Sequence, residues 1–374
     1  MSASTGAVSD SRGASIEIAP GAMTRHVAVA LVMPVRNEGP RVNATMAAIL
    51  ASTRLPDEIV IGDGMSTDDT VARFLAYAAR GVPVRVVQNP ARFSGGGRNV
   101  GARATSAEVI VFADCGNPVA PDWIAEMVRP FEETADVDIV CGIFEPLVTN
   151  AFEHCLAAIH YPQNYRFSVM SAAERQALVP RAVLPGGGTI AMTRATFDAI
   201  GGYPEWLHRA QDKVFSRKAY ALGMRVVLNW QARIAHHMRS DLASVFRLSF
   251  DYARGNGRSR FTNRHFVKLA GFYGGLTLLL AAYPWFAPAP AFAATLFAAY
   301  TWHAGYRKLV AKDGCIRDPR YWWLAPAMVW HRDAGALLGQ VLGWSEWCFV
   351  PKYKKLFRAY MASCDKARIL LLEP

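Results

Sequence analysis

The chain has 374 residues, a formal net charge of +11 and a hydrophobic fraction of 52%. This length and composition predict a substantial core, in two domains or in one large domain with an appendage. The positive charge indicates an anionic partner such as nucleic acid, acidic lipid or a phosphorylated substrate. The six cysteines form no CxxC pair, which argues against a disulfide framework and a zinc site.

The first part of the chain alternates between strand and helix patterns. Residues 1–25 are rich in Ser, Ala and Gly and lack the apolar region of a signal peptide, so they are predicted to be a loose tail. Apolar runs of strand length occupy residues 26–34, 57–61, 84–88 and 108–113. Helical patterns occupy residues 40–52, 66–79, 95–105 and 121–133. This alternation predicts an α/β fold with a mostly parallel sheet flanked by helices.

Three polar side chains follow directly after predicted strands. They are Asn37, Asp63 and Asp114. In open α/β sheets, ligands bind beyond the carboxyl ends of the strands. Pro34 and Glu38 belong to the same turn as Asn37, and Asp63 is followed by a glycine that permits a tight turn. These five residues are therefore predicted to contact a donor molecule, with Pro34, Asn37, Glu38 and Asp63 near its base or ribose.

A glycine-rich turn opens the third predicted helix. Its sequence, SGGGRNVGA at residues 94–102, fits neither GxxxxGK[ST] nor GxGxxG. The missing fingerprint argues against a P-loop and against a dinucleotide-binding oxidoreductase. Arg98 and Asn99 lie in the first turn of this helix, where helix amides and a guanidinium favour phosphate. Both are predicted to contact a phosphate or a ribose.

The composition changes after about residue 262. Residues 268–286 and 289–306 are almost uncharged, close to spanning length and joined by a proline-rich hinge. They are predicted to be two transmembrane helices, and the alternative is a buried helical hairpin. Lys and Arg lie on both outer flanks and none lies in the hinge, which predicts cytoplasmic flanks. Residues 321–350 are rich in tryptophan and predict interfacial helices, followed by a basic tail that would bind anionic lipid.

Five strings in order resemble glycosyltransferase family 2, whose members have the GT-A fold. They are VMPVRNE, DGMSTDDT, GGGRNVGA, VFADCGNPVAPDWI and GGGTIAMTRATFDAIGGYPE, and they lie within residues 27–240. The resemblance implies a nucleotide-sugar donor of the UDP or GDP type, a divalent cation (Mg²⁺ or Mn²⁺) and inversion at the anomeric carbon. Together with the changes in composition, it divides the chain into a tail (1–25), a GT-A domain (26–262) and a membrane region (263–374).

The resemblance assigns roles to two acidic turns. The family's metal motif is Asp-x-Asp, and here Asp114 is followed by Gly116 in the second position. Mg²⁺ tolerates one protein carboxylate, because water and diphosphate oxygens can complete its coordination. The family's Glu-Asp pair corresponds to Gln211-Asp212, so Asp212 is the expected catalytic base. The alternative role for Asp212 is a helix cap.

Two further positions complete the expected site. The family often has a histidine near ARIAHHMRSDL, so His237 or its neighbour His236 is expected near the diphosphate, with His237 as the second candidate metal ligand. A histidine pair after a strand also occurs for purely structural reasons. Gly186, Gly187 and Gly188 lack side chains, which lets a substrate approach the backbone, and they are the expected acceptor site.

These expectations describe a membrane-associated, inverting glycosyltransferase. Its catalytic domain would lie on the cytoplasmic face of the inner membrane, with a lipid-linked or membrane-proximal glycan as acceptor and no nucleic-acid partner. Cell-surface polysaccharide or glycolipid synthesis is the expected setting. The absence of Gln-x-x-Arg-Trp argues against a processive synthase. The alternative is a catalytically inactive GT-A domain that acts as a membrane scaffold, which Gly116 and Gln211 would indicate.

Overall fold

The computed structural model describes residues 25–160, 186–260, 264–313, 316 and 318–364. Within these residues, seven strands form one sheet in the order β3-β2-β1-β4-β6-β5-β7. Strand β6 is antiparallel to both of its neighbours, and the other neighbouring pairs are parallel. The strands are β1 Val29–Val35, β2 Glu58–Asp63, β3 Val84–Gln88, β4 Val109–Ala113, β5 Ile139–Leu147, β6 Thr189–Thr193 and β7 Val226–His237. The predicted α/β class, with a mostly parallel sheet, is confirmed.

Helices flank this sheet and continue beyond it. The first seven are α1 Gly39–Leu50, α2 Thr70–Ala78, α3 Ser94–Arg103, α4 Trp123–Glu133, α5 Ala151–His160, α6 Arg194–Ile200 and α7 Gln211–Ala221. After β7 come α8 Leu242–Arg258, α9 Arg264–Ala281, α10 Ala289–Thr301, α11 Arg307–Asp313, α12 Tyr321–Phe349 and α13 Pro351–Tyr360. A single π-helical turn, Trp302–Tyr306, joins α10 to α11.

Apolar side chains cover the sheet on both faces, which explains why its first strand reads as a continuous apolar run. Leu31 and Met33 of β1 pack into one cluster with Trp123 of α4. The intervening Val32 packs into the opposite cluster with Phe112 and Phe197. Successive side chains of a strand point to opposite faces, so every residue of β1 needs to be apolar or small. The core therefore holds the carboxyl ends of β1, β2 and β4 in a fixed relation.

The two transmembrane helices expected from the sequence are not found. No helix in the described part of the chain is both long enough and apolar enough to cross a membrane. The apolar segments instead form α9, with 18 residues, and α10, with 13 residues. Residues Arg264, His265 and Lys268 fall inside α9 and interrupt its apolar character. At about 1.5 Å per residue, α10 is too short for a hydrocarbon core about 30 Å thick.

Helix α12 lies tightly against α8 and links the C-terminal helices to the sheet domain. Gly335, Gly339 and Gly343 repeat every four residues, so they share one face of α12. A Cβ at any of them would collide with the backbone of α8, so the two helices approach at backbone distance. Glu346 of α12 adds ion pairs to Arg254 and Arg258 of α8. The predicted boundary near residue 262 therefore separates segments that pack directly on each other.

Candidate active site

A cavity of about 520 Å³ opens at the carboxyl ends of the parallel strands. Pro34 and Gly62 line it from β1 and β2, and Asp114 lines it from the turn after β4. Asp212 enters from the start of α7 and His237 from the end of β7. Residues from distant parts of the sequence thus meet at the edge of the sheet where α/β folds bind ligands.

The structure divides the predicted donor-contacting residues into two groups. Four of them line the cavity: Pro34, Glu38, Arg98 and Asp114. The other three lie outside the lining that the described residues form: Asn37, Asp63 and Asn99. The second group forms hydrogen bonds within the protein instead. Their contact with a donor stays a prediction.

Asn37 and Asp63 hold two loops together. Asn37 Oδ1 accepts a hydrogen bond from the backbone N–H of Thr67 at 2.8 Å, and the Asn37 N–H donates to Ser66 Oγ at 2.9 Å. The buried carboxylate of Asp63 accepts from the backbone N–H of Ser66 at 3.1 Å. The loop after β1 is therefore tied to the loop after β2, which fixes the Pro34 and Glu38 positions at the cavity.

Asn99 ties α3 to the segment before α7. Its Nδ2 donates to the backbone oxygen of Tyr203 and to Glu205, both at 2.8 Å, and its Oδ1 accepts from the N–H of Tyr203 at 2.7 Å. These bonds satisfy a buried amide and position the chain that leads to Asp212. A role in the scaffold explains Asn99 without any ligand.

Arg98 and Asp114 form an ion pair inside the cavity. Arg98 Nη2 donates to Asp114 Oδ1 at 2.6 Å, and the side chain of Arg98 is 4% exposed whereas that of Asp114 is 41% exposed. The guanidinium also lies 5.3 Å from the centre of the Tyr203 ring. Burial lowers the pKa of Arg98, but the charge of Asp114 and smaller contributions from Tyr203 and Asp212 raise it above its ordinary value. Arg98 therefore stays positively charged.

The residues present fit a divalent cation poorly. Asp114 offers a single carboxylate, and one of its oxygens already accepts from Arg98. Among the described residues, no group of three or more His, Cys, Asp or Glu side chains could hold a metal ion. His236 and His237 both line the cavity, and His236 is close enough to Asp114 for the carboxylate to influence its pKa. His237 stays a candidate ligand, but the described protein does not complete a metal site by itself.

The turn before α7 presents the expected catalytic acid. Asp212 lines the cavity, and its Oδ1 accepts from the backbone N–H of Lys213 at 2.9 Å. Ala210 precedes the helix with φ of 63°, a left-handed conformation that is uncommon for alanine and that turns the chain sharply into α7. Gln211 is buried, and its Nε2 donates to Ser94 Oγ at 2.7 Å. Both residues line the cavity, but Gln211 is buried against Ser94, so Asp212 is the acid that this turn presents to a ligand.

The predicted acceptor segment closes another side of the same cavity. Gly186, Gly187 and Gly188 all line it, although the chain just before them lies outside the described residues. A Cβ at Gly187 would come within 2.5 Å of Arg98 Cζ, and one at Gly188 within 2.7 Å of Asp114 Oδ2. This segment packs against the ion pair itself. Further along, apolar side chains line the cavity: Phe144, Leu156, Met238, Val245 and Leu248.

The sequence alone does not predict how many arginines line this cavity. Its described lining contains only three carboxylates, those of Glu38, Asp114 and Asp212. It contains twice as many arginines: Arg36, Arg41, Arg92, Arg98, Arg209 and Arg239. The net charge of +11 was a signal of this excess, but charge alone does not say where the arginines gather. The cavity as built favours an anionic ligand.

Histidines contribute little to this positive charge. Burial lowers the pKa of His236; Asp114 raises it in part, but Arg239 and His237 lower it further. Burial, with a further contribution from Arg209, lowers the pKa of His208. Burial and the nearby charges of Arg332 and Lys308 lower the pKa of His160 to about 3. These rings are neutral at pH 7, so the permanent positive charge comes from guanidinium groups.

Sheet order and cavity position are those of the GT-A fold. A solved structure with the same fold is the mannosyltransferase PcManGT from Pyrobaculum calidifontis in complex with GDP-Man and Mn²⁺. The two chains share 19% identity with a TM-score of 0.52, over 89% of this chain and 90% of that one. This likeness concerns the fold.

Sequence comparison identifies the family. Residues 30–198 match the model described as glycosyl transferase family 2. The O-antigen chain rhamnosyltransferase RfbN of Salmonella typhimurium is 25% identical over 65% of this chain and 77% of its own length. The succinoglycan biosynthesis protein ExoA of Rhizobium meliloti is 24% identical over 63% of this chain and 70% of its own length. Residues 30–198 therefore form a family 2 glycosyltransferase domain, and the protein is a glycosyltransferase, as its motifs predict.

Proposed function

We propose that this enzyme moves a sugar from a UDP- or GDP-type donor to a glycan acceptor, with inversion at the anomeric carbon. One observation carries the proposal: Asp212, whose carboxylate reaches the open cavity, shares that cavity with a group of arginines at the strand ends. A base and an anion-binding surface are the two parts that this reaction requires. The names of the bacterial relatives RfbN and ExoA support cell-surface polysaccharide synthesis as the setting.

The chemistry follows from these positions. The acceptor hydroxyl oxygen forms a bond to the anomeric carbon while the bond from that carbon to the diphosphate breaks. The hydroxyl proton passes to the Asp212 carboxylate, whose orientation the Lys213 N–H fixes. The electron pair leaves with the diphosphate, and the charge that develops there is stabilised by the arginines, with Arg98 buried among them. A single displacement of this kind inverts the configuration.

A divalent cation, Mg²⁺ or Mn²⁺, is the cofactor that the family resemblance and the Mn²⁺ of the mannosyltransferase suggest. Asp114 and His237 are the residues that would hold it. Because these two residues are an incomplete ligand set and Asp114 already pairs with Arg98, no step of the proposed transfer is assigned to the ion.

The acceptor would enter beside Gly186, Gly187 and Gly188, which line the cavity next to the Arg98–Asp114 ion pair. The apolar lining beyond these glycines, which includes Leu156 and Leu248, suits an acceptor with a hydrocarbon part. This supports a lipid-linked glycan acceptor.

Attachment to the cytoplasmic face of the inner membrane is part of the proposal. The segment from α9 to α12 exposes large apolar side chains, among them Trp285 at 86%, Phe349 at 84% and Leu278 at 74%. No residue of α13 is buried, and this helix carries Lys352, Lys354, Lys355 and Arg358. Exposed aromatic side chains beside a basic helix suit a surface of anionic lipid.

The membrane contact is tested by sedimentation of the full-length protein with vesicles of phosphatidylcholine, with and without phosphatidylglycerol. Lys355→Glu should weaken binding to the anionic vesicles by about tenfold, since each basic residue near the surface contributes about 1 kcal/mol. Arg80→Glu, an exposed charge reversal on the sheet domain, is the matched control and should bind like the wild type. Equal binding to both kinds of vesicle would contradict the anionic-lipid part of the proposal.

Transfer is tested by incubating the protein with a panel of UDP- and GDP-sugars and a bacterial glycolipid extract, and measuring release of the nucleoside diphosphate. We expect acceptor-dependent release from the wild type and little from Asp212→Asn. The rival function is an inactive membrane scaffold, which Gly116 and Gln211 favour because each replaces an acid of the family's motifs. Absence of release from every donor, in a protein that binds nucleotide, would support the scaffold.

A further inference from the structure

The position of the family's second metal-binding acid is built to exclude an acidic side chain. Gly116 has φ of 87°, a conformation that side-chain-bearing residues rarely adopt. A Cβ at this position would also collide with Cδ of Arg41, which lies across the glycine. The second carboxylate is therefore not merely missing, because an arginine side chain lies over the place from which it would project.

Hydrogen bonds link helix α1 at Arg41 to the turn that contains Gly116. Thr45, one helical turn along α1, donates to the backbone oxygen of Arg41 at 2.9 Å and accepts from the N–H of Gly116 at 3.0 Å. Arg41 Nη1 donates to Glu38 Oε2 at 2.7 Å, while its side chain remains largely exposed to the cavity. One threonine thus couples the backbone of α1 to the turn after β4, while the ion pair with Glu38 orients the Arg41 side chain.

The remaining acid of the motif is also paired with an arginine. Asp114 accepts from Arg98, whose guanidinium is enclosed by Gly187 on one side and by the Tyr203 ring on another. Recruiting Asp114 to a cation would bring a second positive centre next to a buried guanidinium that cannot retreat into solvent. Both positions of the motif therefore lie beside arginine.

We propose that Arg41 and Arg98 bind the donor diphosphate where relatives use a metal ion, so that nucleotide binding does not require a divalent cation. The inference rests on the proposed nucleotide-sugar function and names the groups that neutralise its anion. Guanidinium groups keep their charge at any physiological pH and form paired hydrogen bonds to phosphate oxygens. Arg41 reaches the cavity from α1 and Arg98 from α3, so they approach from different elements.

The test is calorimetry of UDP and GDP binding to the full-length protein, once with Mn²⁺ and once with EDTA. We expect dissociation constants that agree within about threefold between the two conditions. Arg41→Gln should weaken binding by about 10- to 100-fold in both, since a hydrogen bond to a charged group contributes about 1.5–3 kcal/mol. Arg41→Lys should recover part of that loss by restoring the charge without the paired donors.

Arg73→Gln is the matched control. Arg73 also pairs with an acid on its own helix, Asp69 at 2.7 Å, but it does not line the cavity. It should bind nucleotide like the wild type, and thermal unfolding should show both glutamine variants to be folded. Nucleotide binding that EDTA abolishes and Mn²⁺ restores would overturn the inference, as would wild-type affinity in Arg41→Gln. Failure of both nucleotides to bind in either condition would instead overturn the proposed donor class.

Discussion

Two turns in this protein have each lost one acid relative to the family's motifs, and the remaining acid has a different environment in each. After β4, Asp114 accepts from a buried arginine, and Gly116 lies beneath Arg41. Before α7, Gln211 turns into the protein towards Ser94, and Asp212 is held by a backbone N–H while it lines the cavity. The first acid has a permanent cationic partner, whereas the second is placed to accept a proton. The same kind of loss thus leaves a charge-balancing carboxylate in one turn and a base in the other.

Removing the charge of Asp212 should give the largest effect on activity. Asp212→Asn keeps the shape of the side chain but cannot accept the hydroxyl proton, and loss of a general base typically lowers kcat by about 10²–10⁴-fold. Nucleotide affinity, measured by calorimetry, should change little. If the variant turns over like the wild type, Asp212 is a helix cap and the two turns do not differ as described.

Asp114→Asn should reduce stability as well as activity. It leaves the buried Arg98 guanidinium without its counter-charge, which should cost about 1–3 kcal/mol of unfolding free energy. Denaturant unfolding measures this loss. Asp69→Asn removes an exposed pair with Arg73 and should cost less than about 1 kcal/mol. Equal losses of unfolding free energy in the two variants would mean that the burial of Arg98 does not increase the contribution of its ion pair to stability.

Restoring the missing acid should destabilise the protein more at one turn than at the other. Gly116→Asp introduces a side chain at positive φ and against Arg41, so it should destabilise the protein by about 1–3 kcal/mol. Gln211→Glu keeps the side-chain shape and can accept a hydrogen bond from Ser94, so it should cost less. Thermal unfolding compares the two. A stable Gly116→Asp that gains Mn²⁺ affinity without nucleotide would show that the turn still accepts a metal ligand.

The effect that is smallest at neutral pH concerns a histidine of the cavity lining, because it appears only at lower pH. The folded-state pKa of His160, about 3, lies far below the usual value of about 6.5, because of burial and the charges of Arg332 and Lys308. The unfolded chain therefore binds a proton that the folded chain does not, so stability should fall as pH drops from about 6.5 towards 3.

In His160→Gln, the free energy of unfolding should depend less steeply on pH in this acidic range. At pH 7 it should stay within about 1 kcal/mol of the wild-type value. Urea unfolding at several pH values measures the slope. An unchanged slope in the variant would mean that His160 becomes protonated in the folded state, and the cavity would then hold a histidine charge besides its arginines.

Much of this arrangement could be predicted from the chain itself. Apolar runs and helix patterns give β1 to β4, and the acids that follow β4 and open α7 were placed in the site. The arginines could not be placed, because Arg36, Arg41 and Arg209 have no local pattern and meet only through tertiary packing. Nor does sequence reveal that Asn37 and Asn99 bond to neighbouring loops. The prediction of spanning helices failed because apolar composition does not specify where a helix ends.

The configuration of the transferred sugar tests the central claim most directly. The account assigns one carboxylate, Asp212, as a base and no protein group as a nucleophile, so the reaction is a single displacement. Once a donor and a glycolipid acceptor have been found, the coupling constant of the anomeric proton in the product gives its configuration by NMR. The account predicts a configuration opposite to that of the donor sugar. A product that retains the donor's configuration would contradict it.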